Sequence, residues 1–456
     1  MNIVSFLCSV FSLAVVCISV AAEPLPLSKE YWKDEAFLKS FNGSYQINAR
    51  IEPSVSSEER GLLVSIQKLM AEGKREDALK KLQASPLLKT SAALAYNAGN
   101  IQFELDQLEA AEKSYLQALE RFPQFRRAHR NLGSLYARMD QWDKAIPRLE
   151  EAIRLGDQDG STYGLLAYGR LQDEQYASAL QAYRLAQVTQ PQAIDWKAGV
   201  AQCLQHLDRN QEAMVLVEEV IKVRPLEPSY YLMQASIHLA MDQSDEAISN
   251  LEWVRRIEKL DAENHLLLAS LHLRAGRPLL ARPLMLAALE MEGKPDVQAA
   301  VNALEFVTRV RNWELAREFA DALVNAFPDL PDGKLKQKQQ RLGALIDIDS
   351  GQNPSRGAGV LASLIKRDPL DGESLLLLAK FRVSEKRYQE AEMLLKQASQ
   401  VEDVAYDSHV ETAKLCVTTK RYRDALDLLD QALELRPSEH LEQYRSAVQG
   451  LAEASE

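Results

Sequence analysis

Cysteine is nearly missing from this chain. It has four in 456 residues, and two of these, Cys8 and Cys17, lie close to the start. The other two, Cys203 and Cys416, stand far apart in sequence, so no disulfide framework staples the fold. They read instead as small buried apolar residues. Aromatic residues are scarce at 7%, and positive charge is in deficit: 54 Lys and Arg against 65 Asp and Glu give a net charge of −11. That balance argues against a nucleic-acid partner, which wants a basic stripe. It also argues against an anionic lipid surface as the main partner. The chain has no Gly-rich phosphate loop, no paired-His zinc motif on one helix and no Cys-pair cluster. The expectation is a protein that is not an enzyme and carries no cofactor and no metal.

The weaker candidates for chemistry have ordinary explanations. His238 and His272 hold the same place in successive sequence units, with His265 seven residues before His272. Helix neighbours stand about 8–10 Å apart, too far for these rings to converge within zinc distance. Asp347-Ile348-Asp349-Ser350-Gly351 opens like a calcium loop, but Ala358 stands where the loop's twelfth-position acid is required. A long turn between helices is expected there. Glu385 and Glu390 read as solvated carboxylates.

What the chain does have is a period. Gly99, Gly133, Ala167, Ala201, Ala235 and Ala269 recur at an interval of 34. Ala111, Ala145, Ala179, Ala213, Ala247 and Ala281 form a second comb offset by twelve. Late in the chain Ala379 and Ala413, Ala391 and Ala425, and Ala398 and Ala432 repeat the spacing. Pro123, Pro191, Pro225 and Pro437 close units, as a residue without an N–H must close a helix. A fixed period of this length means a stacked array of supersecondary units. Small residues let two helices approach closely, and a larger side chain there would overpack the contact.

Units begin near Ala92, Arg126, Gly160, Ile194, Pro228 and Ala262, and later near Gly372 and Tyr406. A seventh, with Leu304, Ala316 and Pro328, runs one residue out of phase. In a degenerate eighth, Gly357 or Ala358 takes the small-residue place. An atypical first unit spans about Glu59 to Thr90, with Gly73 and Ala78. The motif Asn97-Ala98-Gly99-Asn100, Leu108-Glu109-Ala110-Ala111, Tyr115, Ala118-Leu119 and Pro123 resembles the tetratricopeptide repeat, as does Asn131-Leu132-Gly133 with Tyr136, Trp142, Ala145, Leu149 and Ala152. The resemblance implies an all-α, right-handed helical-hairpin solenoid of about ten or eleven repeats, working as a protein-binding scaffold or adaptor.

Residues 1–22 carry no charge and end in Val20-Ala21-Ala22, which reads as a secretory signal peptide. The apolar run is also just long enough to stay uncleaved as a membrane anchor. The organisation expected is a signal peptide at 1–22, an aromatic capping segment at 23–58, a first arm of repeats at 59–330, a second arm at 331–437 and a capping helix at 438–456. The break Pro328-Asp329-Leu330-Pro331-Asp332-Gly333 is the expected joint between the arms. Leu441, Tyr444, Val448 and Leu451 give the last helix its apolar stripe.

The segment after residue 22 does not follow the comb. Ser56-Ser57-Glu58-Glu59 marks a helix start. Upstream of it the segment reads either as a piece that docks along the groove or onto a partner, or as a cap over the first hairpin. Tyr31-Trp32, Phe41-Asn42-Gly43-Ser44-Tyr45 and Asn48-Ala49-Arg50-Ile51-Glu52-Pro53 resemble the periplasmic tetratricopeptide proteins found alongside TonB–ExbB–ExbD systems of Gram-negative bacteria. The resemblance implies a periplasmic location and an accessory role in energised envelope transport. An assembly scaffold for outer-membrane, cell-wall or polysaccharide-export machinery is the alternative, and an enzyme with an unrecognised site is a third.

In tetratricopeptide arrays the first helix of each hairpin lines the concave groove. The groove positions of the first two full units are Tyr96, Asn97, Asn100, Phe103, Arg127, Arg130, Asn131 and Arg138. This basic, amide-bearing patch on an acidic protein is expected to receive an acidic or C-terminal peptide, because guanidinium forks grip carboxylates. Asn100 and Asn131 match the amides of the family's carboxylate clamp, but Tyr96, Ser161 and Leu165 stand in its cationic places. TonB-, ExbB- and ExbD-type proteins are the partners this family implies, with the membrane met only through residues 1–22.

Overall fold

The computed structural model describes residues 25, 27, 31–34, 37–38, 51–257 and 260–455. The expected signal peptide and residues 39–50, which carry much of the resemblance, lie outside the described residues. All regular structure among the described residues is helical. The chain divides into two compact units, 19–259 and 260–456, and the Pro328–Gly333 break lies inside the second.

The first unit holds six helical hairpins. They are Ser57–Ala71 with Arg75–Gln83, Ala92–Glu104 with Leu108–Arg121, Arg126–Arg138 with Trp142–Arg154, Gly160–Gln172 with Tyr176–Thr189, Ile194–His206 with Asn210–Val223, and Pro228–Ala240 with Ser244–Ile257. The second unit holds five, in Ala262–Arg274 with Pro278–Glu290, Val297–Arg309 with Trp313–Ala326, Lys334–Asp349 with Pro354–Arg367, Gly372–Ser384 with Tyr388–Ala398, and Glu402–Thr418 with Tyr422–Leu435. Glu439–Ser455 closes the second unit. Every unit start expected from the combs coincides with a helix start except the last, where the helix begins a turn earlier, at Glu402.

Both combs are buried throughout. The reason is steric. A Cβ added to Gly99 would lie 2.6 Å from Cε1 of Tyr115, on the partner helix of the same hairpin. Tyr115 cannot yield, because it is fully enclosed and its hydroxyl donates to Asn100 Oδ1 at 2.8 Å. In the degenerate eighth unit the small-residue place is Gly357, whose added Cβ would meet the Ala344 carbonyl oxygen at 2.6 Å.

One regularity lies in the backbone rather than in residue type. The second residue past a hairpin's first helix turns left-handed: Asp106, Asp140, Glu174, Asp208 and Asp242 have φ of 56–60°, and Gly276, Lys386 and Lys420 occupy the same place with φ of 60–70°. Around Asp106, its own N–H donates to Phe103 O and the Gln107 N–H to Gln102 O, at 3.1 and 2.9 Å. The same pair of bonds recurs at the other seven turns. This is the Schellman closure, which satisfies the last carbonyls of a helix. Ser56 caps Ser57–Ala71 with a reciprocal capping box to Glu59, as Ser56–Glu59 implied.

Two expectations need correction. Asp347 and Asp349 lie in the helix Lys334–Asp349, not in a loop. The buried Asp347 carboxylate pairs with Arg317 and, at 2.7 Å to each oxygen, with Arg356. In the closing helix Leu441 and Val448 are buried against Ala425 and Leu429, whereas Leu451 faces solvent.

Replacing Gly99 with alanine is expected to destabilise the fold by about 1–2 kcal/mol in urea unfolding, overpacking outweighing the gain in helix propensity. Lys420→Gly is expected to act oppositely, raising stability by about 0.5–1 kcal/mol, since glycine enters the left-handed region without strain.

Candidate binding face and the segment that covers it

The groove positions of the first unit sit on first helices that are buried on nearly every side. In Ala92–Glu104 only Asn97 and Glu104 escape full burial. In Arg126–Arg138 the exceptions are Arg126, Arg130 and Arg138. Further along, Pro228–Ala240 has only four buried residues, Tyr230, Met233, Ala235 and Ile237. The helices of the expected patch are thus enclosed in a way that a later helix of the same unit is not.

Part of the enclosure is the chain's own N-terminal segment. Tyr31–Lys33 forms one short turn of 3-10 helix. The Tyr31 ring lies edge-on to Trp196, with centroids 5.3 Å apart, and also meets Trp32 and Phe37 at 5.0 Å each. Phe37 reaches Phe103 at 6.5 Å, and its N–H donates to Asp34 Oδ1 at 3.0 Å. The Leu25 N–H donates to Gln202 Oε1 at 3.0 Å, and Leu25, Leu27 and Leu38 pack against the same core. The segment therefore crosses the first helices in reverse order, from Ile194–His206 at Leu25 back to Ala92–Glu104 at Phe37. Offset and edge-on aromatic pairs of this kind add to the area they bury.

Further along, the Arg126 N–H donates to the Ile51 carbonyl at 3.2 Å. The Glu52 carboxylate meets Arg127 Nε at 3.0 Å and Arg126 Nη2 at 3.6 Å. Arg127 and Glu52 are both buried. Burial pushes the Glu52 carboxyl up from its ordinary value, against the pull of Arg127. Burial also raises the Tyr31 phenol far above its usual range.

The expected peptide-binding residues fall into two groups. Tyr96, Asn100, Phe103, Arg127 and Asn131 were expected to be exposed and are buried. The Asn131 amide donates to Tyr96 Oη and to Asn100 Oδ1, both at 2.9 Å, and Tyr115 donates to the same Asn100 oxygen. These amides form an internal network, so the match to the carboxylate clamp does not give ligand-facing groups. Ser161 and Leu165 are buried as well. Asn97, Arg130 and Arg138 are half-buried. Asn97 donates to its own helix at Ala93 O, 2.7 Å. Arg130 approaches Asp157 and Asp159 at 4.0 Å. Arg138 lies 4.7 Å over the Phe103 ring and bonds Asp106 at 2.8 Å. Several of these residues lie together, and an acid of this chain, Glu52, pairs with the buried Arg127 among them.

The other candidate groups are held separately. His238 Nδ1 meets Gln243 at 2.7 Å, and His265 Nδ1 meets the Asp261 carbonyl at 2.8 Å. Among the described residues no group of three or more His, Cys, Asp and Glu is arranged to hold a metal. Cys203 and Cys416 are buried free thiols, and burial pushes Cys203 up to about 12. Among the described residues no helix is long and apolar enough to cross a membrane.

The protein-family model for the tetratricopeptide repeat matches residues 96–160 and 232–297. Those two stretches match the tetratricopeptide repeat, and the described helices pair into hairpins as in a tetratricopeptide-type solenoid. Among solved structures it is similar to YrrB, described as a tetratricopeptide protein with an unusual peptide-binding site, at 19% identity over 42% of this chain and 91% of that one, TM-score 0.35. It is similar also to a tetratricopeptide repeat protein from Parabacteroides merdae, at 19% identity over 56% and 98%, TM-score 0.37. A third similarity is to PilF of Pseudomonas aeruginosa, at 14% identity over 48% and 97%, TM-score 0.39. No curated protein matches the chain.

Glu52→Ala leaves Arg127 without its buried carboxylate and is expected to cost about 3 kcal/mol. Glu52→Gln supplies the pH signature. Between the ordinary carboxylate pKa and the raised one, the folded chain holds the extra proton, so Glu52's contribution to stability falls as pH rises. The stability difference, wild type minus Glu52→Gln, is therefore expected to decrease across that window in urea titrations at successive pH values.

Proposed function

We propose that this chain is a periplasmic protein-binding scaffold that serves a TonB–ExbB–ExbD-type energy-transducing complex by binding and not by catalysis. The observation that carries the binding role is the first-helix face of Ala92–His206, which holds an aromatic polypeptide segment through ring contacts, a backbone bond and an ion pair. That these first helices hold one stretch of the chain's own polypeptide in this way supports a peptide-binding role, as do the tetratricopeptide-repeat matches at 96–160 and 232–297. The net charge of −11 favours protein over nucleic-acid partners. The periplasmic location is supported by the uncharged, apolar residues 1–22. The link to a TonB-type system is supported by the resemblance of Tyr31-Trp32 and Asn48–Pro53.

The test is in-cell crosslinking of the tagged full chain, with fractionation and mass spectrometry of the captured proteins. Recovery in the periplasmic fraction with the inner-membrane motor subunits of a TonB-type system is expected. Recovery in the cytosol, or capture of outer-membrane assembly factors without motor subunits, would overturn the assignment.

A further inference from the structure

We propose that a break in the repeat opens a binding cleft in the second unit, and that its ligand is a small carboxylate with a slender apolar body. The proposal goes beyond the protein-binding role above and does not rest on it.

The cleft begins with an insertion. Gly357 follows Ala316 by 41 residues, seven more than the period, and the spacing of 34 resumes from Gly357 to Ala391. The extra residues lengthen the linker at 327–333 and the helix behind it, Lys334–Asp349. Insertions into repeat arrays map to one face, often the binding face. Beside this one lies a cleft of about 420 Å³, within the size range of small-molecule sites. One side is a single face of Lys334–Asp349, because Lys336, Gln339, Gly343 and Asp347 recur three and four residues apart. Val324 on the preceding helix, Phe327 and Leu330 in the linker and Val360 on the following helix supply apolar surface.

Charge distinguishes the two ends. Asp347 is already held by Arg317 and Arg356. Lys336 stands eleven residues earlier in the same helix, about 16 Å along its axis. It pairs at 3.1 Å with Asp332, whose side chain is 81% exposed. So exposed a pair contributes little, and a ligand anion can take the place of Asp332. Gln339, one turn further along, has its Nε2 buried without a hydrogen-bond partner, and a buried donor left unpaired is costly. Both groups are donors, so the head group that suits them is an anionic acceptor. The cleft's lining holds three cations against two acids, in a chain whose net charge is −11. Between its charged ends the apolar surface suits a chain and not a second charge.

Isothermal titration calorimetry on the full-length chain, with octanoate, octan-1-ol and acetate, tests the proposal. Octanoate is expected to bind saturably, octan-1-ol about tenfold more weakly for want of the charge, and acetate not at all for want of the chain. N-acetyl-leucine separates two sources of such a group. Tighter binding than octanoate identifies a polypeptide C-terminus, weaker binding a free acyl chain, and either supports the proposal. A Cβ at Gly343 meets nothing within 4 Å, so Gly343→Leu fills the cleft and is expected to abolish octanoate binding. Lys336→Met is expected to weaken octanoate about tenfold and to leave octan-1-ol unchanged. Lys336 is partly exposed, so this variant keeps the test readable if the leucine unfolds the chain. Three results would overturn the proposal: no saturable octanoate binding to the wild type, equal affinity for octanoate and octan-1-ol, or octanoate binding that either folded variant leaves unchanged. Each of them leaves the crosslinking result, and with it the proposed function, untouched.

Discussion

Two helices can pack side by side only as closely as the residues at their contact allow, and that limit governs this protein. Gly99 against Tyr115 shows how little space remains, with room for hydrogen and none for a methyl group. Repeated at every unit, the limit fixes which face of each helix turns inward. Within the first unit the first helices from Ala92 to His206 then turn their remaining side chains toward the N-terminal segment.

That surface includes Phe103 and Trp196, both buried in the folded chain. Phe103 and Trp196 would be costly to leave in water, and each aromatic ring buries about 150–250 Å² when covered. The chain covers them with Tyr31, Trp32 and Phe37, and it meets the guanidinium of Arg127 with Glu52. The cover holds by rings, by backbone bonds at Leu25 and Ile51, and by a carboxylate.

Much of the fold was legible because its cause is local and periodic. Ala92, Arg126, Gly160, Ile194, Pro228, Ala262 and Gly372 all begin helices, as the combs indicated. The left-handed turn residues were not legible as a class. Asp, Glu, Lys and Gly all fill the place, and what they share is backbone geometry rather than side-chain type. The helix at Glu402 starts before the comb predicts because nothing in the small-residue spacing marks an extra turn.

The candidate site was legible only in half. Tyr96, Asn100, Arg127 and Asn131 do cluster, as their spacing requires. Their burial could not be read from that spacing: Arg127 is met by Glu52 across 75 residues, and Tyr96, Asn100 and Asn131 bond one another across units. No period links Glu52 to Arg127. The sequence did offer one signal, the dense aromatics before the first repeat; its described residues lie along first helices between Ala92 and His206, as the groove-docking reading has it, and not on the first hairpin that the capping reading named.

Amide hydrogen exchange on the full-length chain, resolved at Leu25 and Phe37, tests the account most directly. The account predicts that both N–H groups exchange far more slowly than an unstructured peptide, Leu25 through its bond to Gln202 and Phe37 through its bond to Asp34 beneath the packed rings. Exchange of both at the unstructured-peptide rate would show the face uncovered and would contradict the account.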